Sequence, residues 1–372
     1  MPKHGHLRRS DRRAASLAAT IAAMNNATSS SPDILCAAQA SVAADGTESA
    51  VGATAGTRLD VASRRLDGER IRSRLSAACR GWGIEVVETT GSTNLDLLAR
   101  LRENVACAPT VRAAMVQTAG RGQRGRAWQS QPGDSLMFSL AYVMSGGPAD
   151  LAGLSLATGV AVIEGLSDLP LSAPQALGLK WPNDVLLRGG KLAGILIETV
   201  PAGPGRIGIV IGIGLNLRRA DDLATRIDSA AASAASAASA SGASGASGAS
   251  NRSPAPTPVV PATPPAALES VFPEPDMSTV LVALVKRLTA MLDRFATQGF
   301  AAFREDWEAM HAYGGAAIRI IEHGRDVLHG VALGVDGHGC LRVATSQGER
   351  VIASGEVSVR LLDRAPGTQE AR

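Results

Sequence analysis

The chain has 372 residues, a formal net charge of +3 and four cysteines that form no C-x-x-C pair. The small charge argues against a nucleic-acid coat protein, and the scattered cysteines argue against a zinc ribbon or disulfide scaffold and favour a reducing, cytoplasmic location. Glycine and alanine exceed a quarter of the residues while aromatic residues make up 3%, so part of the chain is predicted to lie outside any packed core.

The first 60 residues show no sustained hydrophobic period. Residues 1–13 are basic, and an Ala/Ser/Thr-rich stretch follows them. Three interpretations stay open: a transit-type targeting peptide, a disordered tail, or a translation start placed too far upstream. We expect a low-complexity tail over 1–60. Because no run of about 18 uninterrupted apolar residues occurs, neither a transmembrane helix nor a membrane partner is predicted.

The first part, 66–227, of a larger domain predicted over 66–312 alternates helix and strand patterns. Helices are predicted over 66–78, from Ser92 or Thr93 to 102, and over 150–166. Strands are predicted over 84–89, 113–118, 135–143, 178–181, 184–187, 192–200 and 207–217. The last strand is apolar on both faces, so we expect it at the centre of the sheet. Helices against one mixed sheet give an α+β or α/β domain, and we favour α+β.

A second low-complexity tract, 228–265, interrupts this block. It is rich in Ala, Ser, Gly and Pro and almost free of charge. Such a composition predicts a flexible linker or surface insertion.

The chain ends in a smaller block with a different pattern. One long amphipathic helix, or two, is predicted over 277–312. Beyond Gly314 the period changes to two, and short strands are predicted at 318–321, 327–333, 340–344, 350–353 and 357–362. Their spacing favours a small antiparallel barrel over 314–364.

The stretch 117–128, QTAGRGQRGRAW, follows a buried strand and alternates three glycines with three arginines. Glycine lets backbone N–H groups approach a ligand, and guanidinium groups donate to phosphate or carboxylate oxygens. We therefore predict an anion-binding loop; a solvated basic turn or an RGG-like nucleic-acid contact are the alternatives. The stretch fits neither a Walker A loop nor a dinucleotide fingerprint.

The stretch 180–198, KWPNDVLLRGGKLAGILIE, carries a second set of polar residues. Asn183 and Asp184 stand at a strand start, where they hold a ligand or Mg²⁺, or form a structural turn. Gly189-Gly190 predicts a hairpin turn. Lys191 follows it, either as a fixed positive charge in the cleft or as a lysine exposed at a turn.

A third stretch, 212–216, reads GIGLN at the end of the central strand. Glycines there predict close approach of a ligand or another backbone, with Asn216 at the cleft, or else a bulge. All six histidines lie outside 66–227, which disfavours histidine-based metal or base chemistry there. The site is therefore predicted to act by positioning and by electrostatic stabilisation of phosphate.

These stretches in this order resemble the biotin–protein ligase family, specifically bacterial biotin–[acetyl-CoA-carboxylase] ligases that lack the N-terminal DNA-binding domain. The resemblance runs from about residue 86 to 362. It includes GSTN at 91–94, the three stretches above, and Phe303 and Trp307 ahead of the small barrel. It implies an SH3-like C-terminal barrel and a two-step reaction, in which biotin, ATP and Mg²⁺ give biotinoyl-5′-AMP and one lysine of a biotin carboxyl carrier protein is then acylated.

The resemblance also implies roles for particular residues. The biotin site would comprise Ser92, Thr93, Asn94, Gln117, Arg121, Gly122, Gln123 and Lys191. The nucleotide site would comprise Arg124, Arg126, Asn183 and Asn216. Lys191 and Arg121 would act in catalysis, and Asp184 would serve Mg²⁺.

The chain departs from the family pattern in three places. Gln123 replaces the second arginine of a common GRGRRGR loop, which leaves one fewer positive charge over the adenylate and predicts weaker retention of it. The first 60 residues lack a winged helix-turn-helix pattern, so no specific operator binding is expected. The 228–265 tract stands where the family has a short loop. A lipoate or octanoyl transferase of the same fold and a nucleic-acid-binding protein are the alternative functions.

Overall fold

The computed structural model describes residues 62–75, 77, 79–241, 263–353 and 357–362. These residues belong to one compact unit of the chain, Ala53–Arg372. The predicted tail over 1–60 lies outside the described residues.

Seven strands form one sheet in the order β1-β2-β3-β7-β6-β5-β4, with β1 and β2 parallel and the other neighbours antiparallel. Their bounds are β1 Gly83–Thr90, β2 Thr110–Gln117, β3 Ser135–Ser145, β4 Leu177–Lys180, β5 Asp184–Leu187, β6 Gly190–Pro201 and β7 Arg206–Asn216. The strand predicted to be central, β7, is the middle strand of the sheet. The predicted mixed sheet is confirmed.

Helices cover both faces of this sheet. Helix α1 (Gly68–Leu75), α3 (Leu154–Ser167) and α5 (Met277–Gln298) share one large core with the sheet. Helix α2 (Thr93–Glu103) packs on the opposite face through Leu97, Leu98 and Leu101, against Ala141, Val200 and Val210. Because neighbouring residues of β7 enter different cores, its uniformly apolar sequence is explained by burial on both sides.

The hairpin between β5 and β6 turns one residue earlier than predicted. Arg188 and Gly189 occupy the turn with φ of 50° and 81°, and Gly190 is already paired with Leu187. Two consecutive positive φ values are the requirement of a type I′ turn, the common two-residue hairpin connection.

The low-complexity tract is not a linker along its whole length. Helix α4 (Ala220–Ser241) continues into it, so the prediction of a flexible linker is wrong for the first part of the tract, whereas a surface insertion is compatible with the exposed helix over 228–233. Alanine has the highest helix propensity, so an Ala/Ser repeat extends a helix that Ala220–Ile227 has already begun. Residues 242–262 lie outside the described residues.

The helical segment predicted over 277–312 consists of two helices, which was one of the two predicted alternatives. Helix α5 begins at the N-cap Asp276, whose carboxylate accepts from the Thr279 N–H at 2.8 Å. It ends at Gln298, where Gly299 takes a φ of 60°, and a short helix α6 (Arg304–Ala309) follows.

The C-terminal strands form a five-stranded antiparallel sheet in the order β11-β10-β9-β8-β12. Their bounds are β8 Ala317–Glu322, β9 Arg325–Val335, β10 Leu341–Thr345, β11 Gly348–Ile352 and β12 Val357–Leu361. Each predicted strand is found within a few residues, and the predicted α+β class with a small C-terminal β-domain is confirmed.

One helical segment, Pro148–Ser167, is long and apolar enough by composition to cross a membrane. Its α3 portion is largely buried, and it packs against α5 and against β4, β5 and β6. That is the environment of a core helix.

Candidate functional site

A cavity of about 550 Å³ lies where the C-terminal end of β7, the first half of β6, the start of α2 and strand β12 meet. The fold brings every residue that the sequence singled out to its wall, although these residues come from distant parts of the chain. They are Ser92, Thr93, Asn94, Gln117, Arg121, Gly122, Gln123, Arg124, Arg126, Asn183, Asp184, Lys191 and Asn216.

A network of neutral polar side chains occupies one end of the cavity. The Gln117 Oε1 accepts from the Thr93 N–H at 2.8 Å and from its Oγ1 at 3.1 Å. Thr93 Oγ1 lies 2.7 Å from Ser139 Oγ, which donates to Asn94 Oδ1 at 2.6 Å. Because these groups fix one another, they form a rigid polar surface suited to an uncharged ligand with N–H and C=O groups.

Glu198 joins this network to the Gly/Arg loop (residues 120–127). One carboxylate oxygen accepts from Asn94 Nδ2 at 3.0 Å, and the other accepts from Arg121 Nη1 at 3.1 Å. Sequence reasoning did not single out Glu198. The available signal was one acidic residue in an otherwise apolar strand, LAGILIE.

The Gly/Arg loop forms a tight hairpin. Arg121 pairs with Ala127, and the Gly122 N–H donates to the Arg126 carbonyl at 2.7 Å. At its tip, the 3₁₀ turn Gln123–Gly125, Arg124 and Gly125 take positive φ values of 60° and 70°. The loop therefore has a defined hairpin shape, on which Arg121, Arg124 and Arg126 are exposed.

Two glycines of the central strand leave space for side chains from other elements. A Cβ on Gly214 would lie 2.3 Å from Trp128 Cε2, and one on Gly212 would lie 2.2 Å from Asn94 Oδ1. The predicted close approach is thus made by the indole of Trp128 and the amide of Asn94. Trp128 ends the stretch 117–128 but was assigned no role. The available signal was that it is the only aromatic residue of that stretch, in a chain with 3% aromatic residues.

Three charged groups stand at the other end of the cavity. Asp184 lies between two lysines, with Lys191 Nζ 2.6 Å from Oδ1 and Lys180 Nζ 3.0 Å from Oδ2. The Lys191 ammonium also lies 5.6 Å from the centre of the Trp128 ring. One carboxylate and two ammonium groups leave a net positive charge facing the cavity.

Burial and mutual attraction shift the pKa values of this cluster. Burial lowers the pKa of Lys180 to about 8, although Asp184 opposes that shift. Burial alone would raise the pKa of Asp184, but the charges of Lys191 and Lys180 outweigh it and lower this pKa to about 2. At neutral pH the carboxylate is therefore ionised. Lys180, the first residue of KWPND, was not singled out by sequence reasoning.

The two lysines that contact Asp184 restrict how this carboxylate could bind Mg²⁺. Both carboxylate oxygens already face an ammonium group, and the described residues contain no cluster of three or more potential metal-ligating side chains. Mg²⁺ usually enters ATP-dependent sites on the phosphates and keeps several waters. A direct bond to Asp184 would require Lys191 to move away first, so the metal role of Asp184 stays a prediction.

Two buried polar atoms in the wall have neither a hydrogen-bond partner nor an ion pair among the described residues. They are Trp128 Nε1, a donor, and Asn216 Oδ1, an acceptor. Asn216 Nδ2 donates to the Lys191 carbonyl at 3.1 Å, and Asn183 Nδ2 donates to the Ile195 carbonyl at 2.8 Å. Because buried polar atoms are normally satisfied, these two atoms are available to bond to a ligand or to a water molecule in the cavity.

The C-terminal sheet supplies part of the wall, which sequence reasoning did not predict. Val357, Ser358, Val359 and Arg360 of β12 line the cavity. Arg124, predicted to bind nucleotide, directs its guanidinium to β12, where Nη1 donates to Ser358 Oγ at 2.9 Å and Nη2 bonds to the Val357 carbonyl. Arg126 stays exposed on the loop and lines the cavity.

Comparison with known proteins agrees with this arrangement. The Biotin/lipoate A/B protein ligase family model matches residues 86–216, and the Biotin protein ligase C terminal domain model matches residues 313–360. The first model covers biotin and lipoate enzymes alike. The second matches the block that contains the C-terminal sheet and therefore favours the biotin enzymes.

Individual relatives support the same assignment. A biotin–[acetyl-CoA-carboxylase] ligase of Paracoccus denitrificans is 34% identical over 273 residues, which cover 72% of this chain and 97% of that protein. This chain belongs to the biotin protein ligase family. The ligase of the same description from Mycobacterium tuberculosis is 42% identical over 159 residues, which cover 42% of this chain and 58% of that protein.

The fold is that of a solved family member. The biotin protein ligase of Aquifex aeolicus, determined in complex with biotin and ATP, superposes with a TM-score of 0.54 at 24% identity, covering 75% of this chain and 99% of that one.

Proposed function

We propose that this chain activates biotin with MgATP to give biotinoyl-5′-AMP and pyrophosphate, and then transfers the biotinoyl group to one lysine of a carrier protein. The chain is an enzyme of the biotin protein ligase family. One observation carries the proposal: a single cavity places an ordered neutral polar network at one end and two lysines around one carboxylate at the other.

The polar end suits the ureido ring of biotin. Gln117, Thr93 and Asn94 would present fixed donors and acceptors to its N–H and C=O groups, while Trp128 would cover the apolar part of the ligand. Glu198 would hold Asn94 and Arg121 in place through the two bonds described above.

The charged end suits the first half-reaction. A biotin carboxylate oxygen attacks the α-phosphorus of ATP, the bond to the bridging oxygen breaks, and pyrophosphate leaves. Two anions must approach each other, so fixed cations lower the barrier without transferring a proton. Lys191 would contact the carboxylate and α-phosphate, helped by Arg121 of the loop, while Asp184 would hold Lys191 in place until the phosphate arrives.

In the second half-reaction the amine of the carrier lysine attacks the acyl carbon and AMP leaves. Asn183, Asn216 and Arg126 would hold the nucleotide part from the cavity wall. We further propose that the acceptor is the biotin carboxyl carrier protein of acetyl-CoA carboxylase or of a related carboxylase, in the cytoplasm.

A labelling assay tests the proposal. The full chain is mixed with labelled biotin, MgATP and a carrier domain, with parallel reactions containing octanoate or lipoate. We expect label on one carrier lysine from biotin alone, and a loss of about 100-fold or more in Lys191→Ala. Lys286→Ala, which removes an exposed lysine on α5, should match the wild type.

Two results would count against these assignments. Transfer of octanoate or lipoate but not biotin would favour the alternative transferase function. Unimpaired biotinylation by a folded Lys191→Ala variant would remove Lys191 from the site.

A further inference from the structure

Arg124, at the loop tip (Gln123–Gly125), adopts an unusual backbone conformation. Its φ and ψ are 60° and 35°, in the left-handed region that non-glycine residues rarely adopt. Such a conformation costs free energy and persists where surrounding contacts hold it. The next residue, Gly125, has the same sign of φ but carries no Cβ, so the unusual position is the one that bears the arginine.

Two contacts of the Arg124 side chain are with the C-terminal sheet. The guanidinium donates to Ser358 Oγ at 2.9 Å and bonds to the Val357 carbonyl, more than 230 residues away in sequence. A guanidinium presents several N–H groups in a rigid fork and can therefore engage both acceptors at once. Lysine keeps the charge but lacks the fork.

The loop is thus attached at two places. Its base is attached to the large sheet by the ion pair between Arg121 and Glu198 at 3.1 Å. Its tip is attached to β12 by Arg124. Both the loop and β12 line the cavity, so the Arg124 contacts join two walls that belong to different sheets.

We propose that Arg124 is a positioning residue that ties the loop tip to strand β12, so that the C-terminal sheet holds the loop closed over the cavity. The tie follows from contacts within the protein; what it retains, the acyl-adenylate, rests on the proposed function. A carrier protein must reach the acyl carbon to complete the second step. The tie therefore favours retention during the first step, and its release favours access during the second.

Hydrogen–deuterium exchange of the unliganded full chain tests the tie directly. Arg124→Lys should raise the exchange rate of the loop amides over 119–128 about fivefold, the factor expected for one lost hydrogen bond. Ser358→Ala, which removes one acceptor from the other side, should give a smaller rise. Arg126→Lys is the matched control, because the Arg126 guanidinium contacts the Gln123 carbonyl within the same loop, at 3.5 Å, and not β12.

Loop exchange in Arg124→Lys and Ser358→Ala equal to that of the wild type would overturn the tie. So would an equal rise in Arg126→Lys, because the effect would then follow from any lost loop guanidinium.

A second measurement tests what the tie does. With biotin and MgATP but no acceptor, the Arg124→Lys variant should release biotinoyl-AMP into solution about fivefold faster than the wild type. Unchanged release alongside raised exchange would overturn the retention role. The exchange measurement uses no ligand, so a wild type that forms no adenylate would refute the proposed function and leave the exchange result to decide the tie.

Discussion

Lys180, Asp184 and Lys191 form a cluster in which the charge of each residue changes how strongly its neighbour is held. Lys180 is 4% exposed and bonds to Asp184, and Asp184 in turn faces Lys191. Burial lowers the pKa of Lys180 to about 8, from an ordinary value of 10.5. As pH rises through 8, the folded protein loses this charge, and Asp184 then has Lys191 as its remaining close cation.

Lys180 should therefore give the first half-reaction a pH dependence. We expect the rate of pyrophosphate release to fall as pH rises through about 8, because an Asp184 without Lys180 holds Lys191 more tightly and away from phosphate. Lys180→Met should be slower, by about tenfold at pH 7, and should lack this inflection. The profile is measured from pH 6.5 to 9.5 in both proteins; an inflection that persists in Lys180→Met would contradict the assignment.

The lowered pKa of Lys180 also sets the direction in which folding stability changes with pH. Between pH 8 and 10.5 the unfolded chain holds the Lys180 proton and the folded chain does not. Folding stability from this group therefore increases with pH across that window. Loss of activity above pH 8 is thus not explained by unfolding through Lys180, and urea titrations at the same pH values separate the two effects.

At this scale the sequence predicted which residues meet but not what each one bonds to. Lys191 and Asp184 were singled out by their place beside a turn and at a strand start. The burial that lowers the pKa of Lys180, and the bonds from Glu198 to both Asn94 and Arg121, depend on elements far apart in the chain. Arg124 shows the same limit, because its partners lie on β12.

Strand β7 shapes the site through two of its glycines, Gly212 and Gly214, which leave space for side chains from other elements. Gly214 gives its space to the Trp128 ring, which also lies 2.9 Å from where a Gly194 Cβ would stand on β6. The backbones of β7 and β6 at these two glycines thus form a flat surface against which the Trp128 indole packs. Glycine there is required by close approach of a side chain and not by backbone conformation.

Gly214→Ala should displace Trp128 and weaken biotin binding. A methyl group 2.3 Å from the ring cannot be accommodated without movement of the indole, and overpacking of this kind costs about 1–3 kcal/mol. We expect the biotin Kd, measured by calorimetry, to rise about tenfold or more, in keeping with that cost. Gly147→Ala is the control, since its Cβ would meet no heavy atom within 4 Å; an unchanged Kd in Gly214→Ala would show that the ring is not part of the site.

The bounds of strands and helices were predicted well where a single local sequence pattern determined them. Strand β5 was predicted at its observed bounds, Asp184–Leu187, and β7 within one residue at each end. The errors arose where two tendencies compete. The Ala/Ser repeat after residue 228 has the composition of a linker and also the helix propensity of alanine, and the helix already begun at Ala220 decided in favour of α4.

The two sheets of the molecule are joined through the KWPND stretch and the segment after α6. Trp181 is 1% exposed, and its Nε1 donates to the Gly339 carbonyl of the C-terminal block at 2.9 Å. Beside it, the Leu179 N–H donates to the Met310 carbonyl at 2.7 Å, and Leu179 accepts from Ala312 at 2.8 Å. The segment 310–312 therefore covers the outer edge of β4 and protects it from pairing with another chain.

Trp181 should consequently couple the position of the C-terminal sheet to the cavity lined by β12. Trp181→Phe keeps an aromatic ring in the same buried place but leaves the Gly339 carbonyl without its donor. We expect the free energy of unfolding, from urea titration, to fall by about 1–3 kcal/mol, the cost of an unsatisfied buried acceptor. Exchange of the β12 amides should also rise, because the C-terminal sheet loses one of its attachments.

Trp82→Phe separates this coupling from a general loss of tryptophan. Trp82 is half-buried and stacks on Tyr142, with ring centroids 6.0 Å apart, away from the C-terminal sheet. It should lower stability without raising exchange in β12. If Trp181→Phe left β12 exchange at the wild-type rate, the Trp181–Gly339 bond would be stabilising locally without positioning the sheet. The cavity wall formed by residues 357–360 would then depend on Arg124 instead.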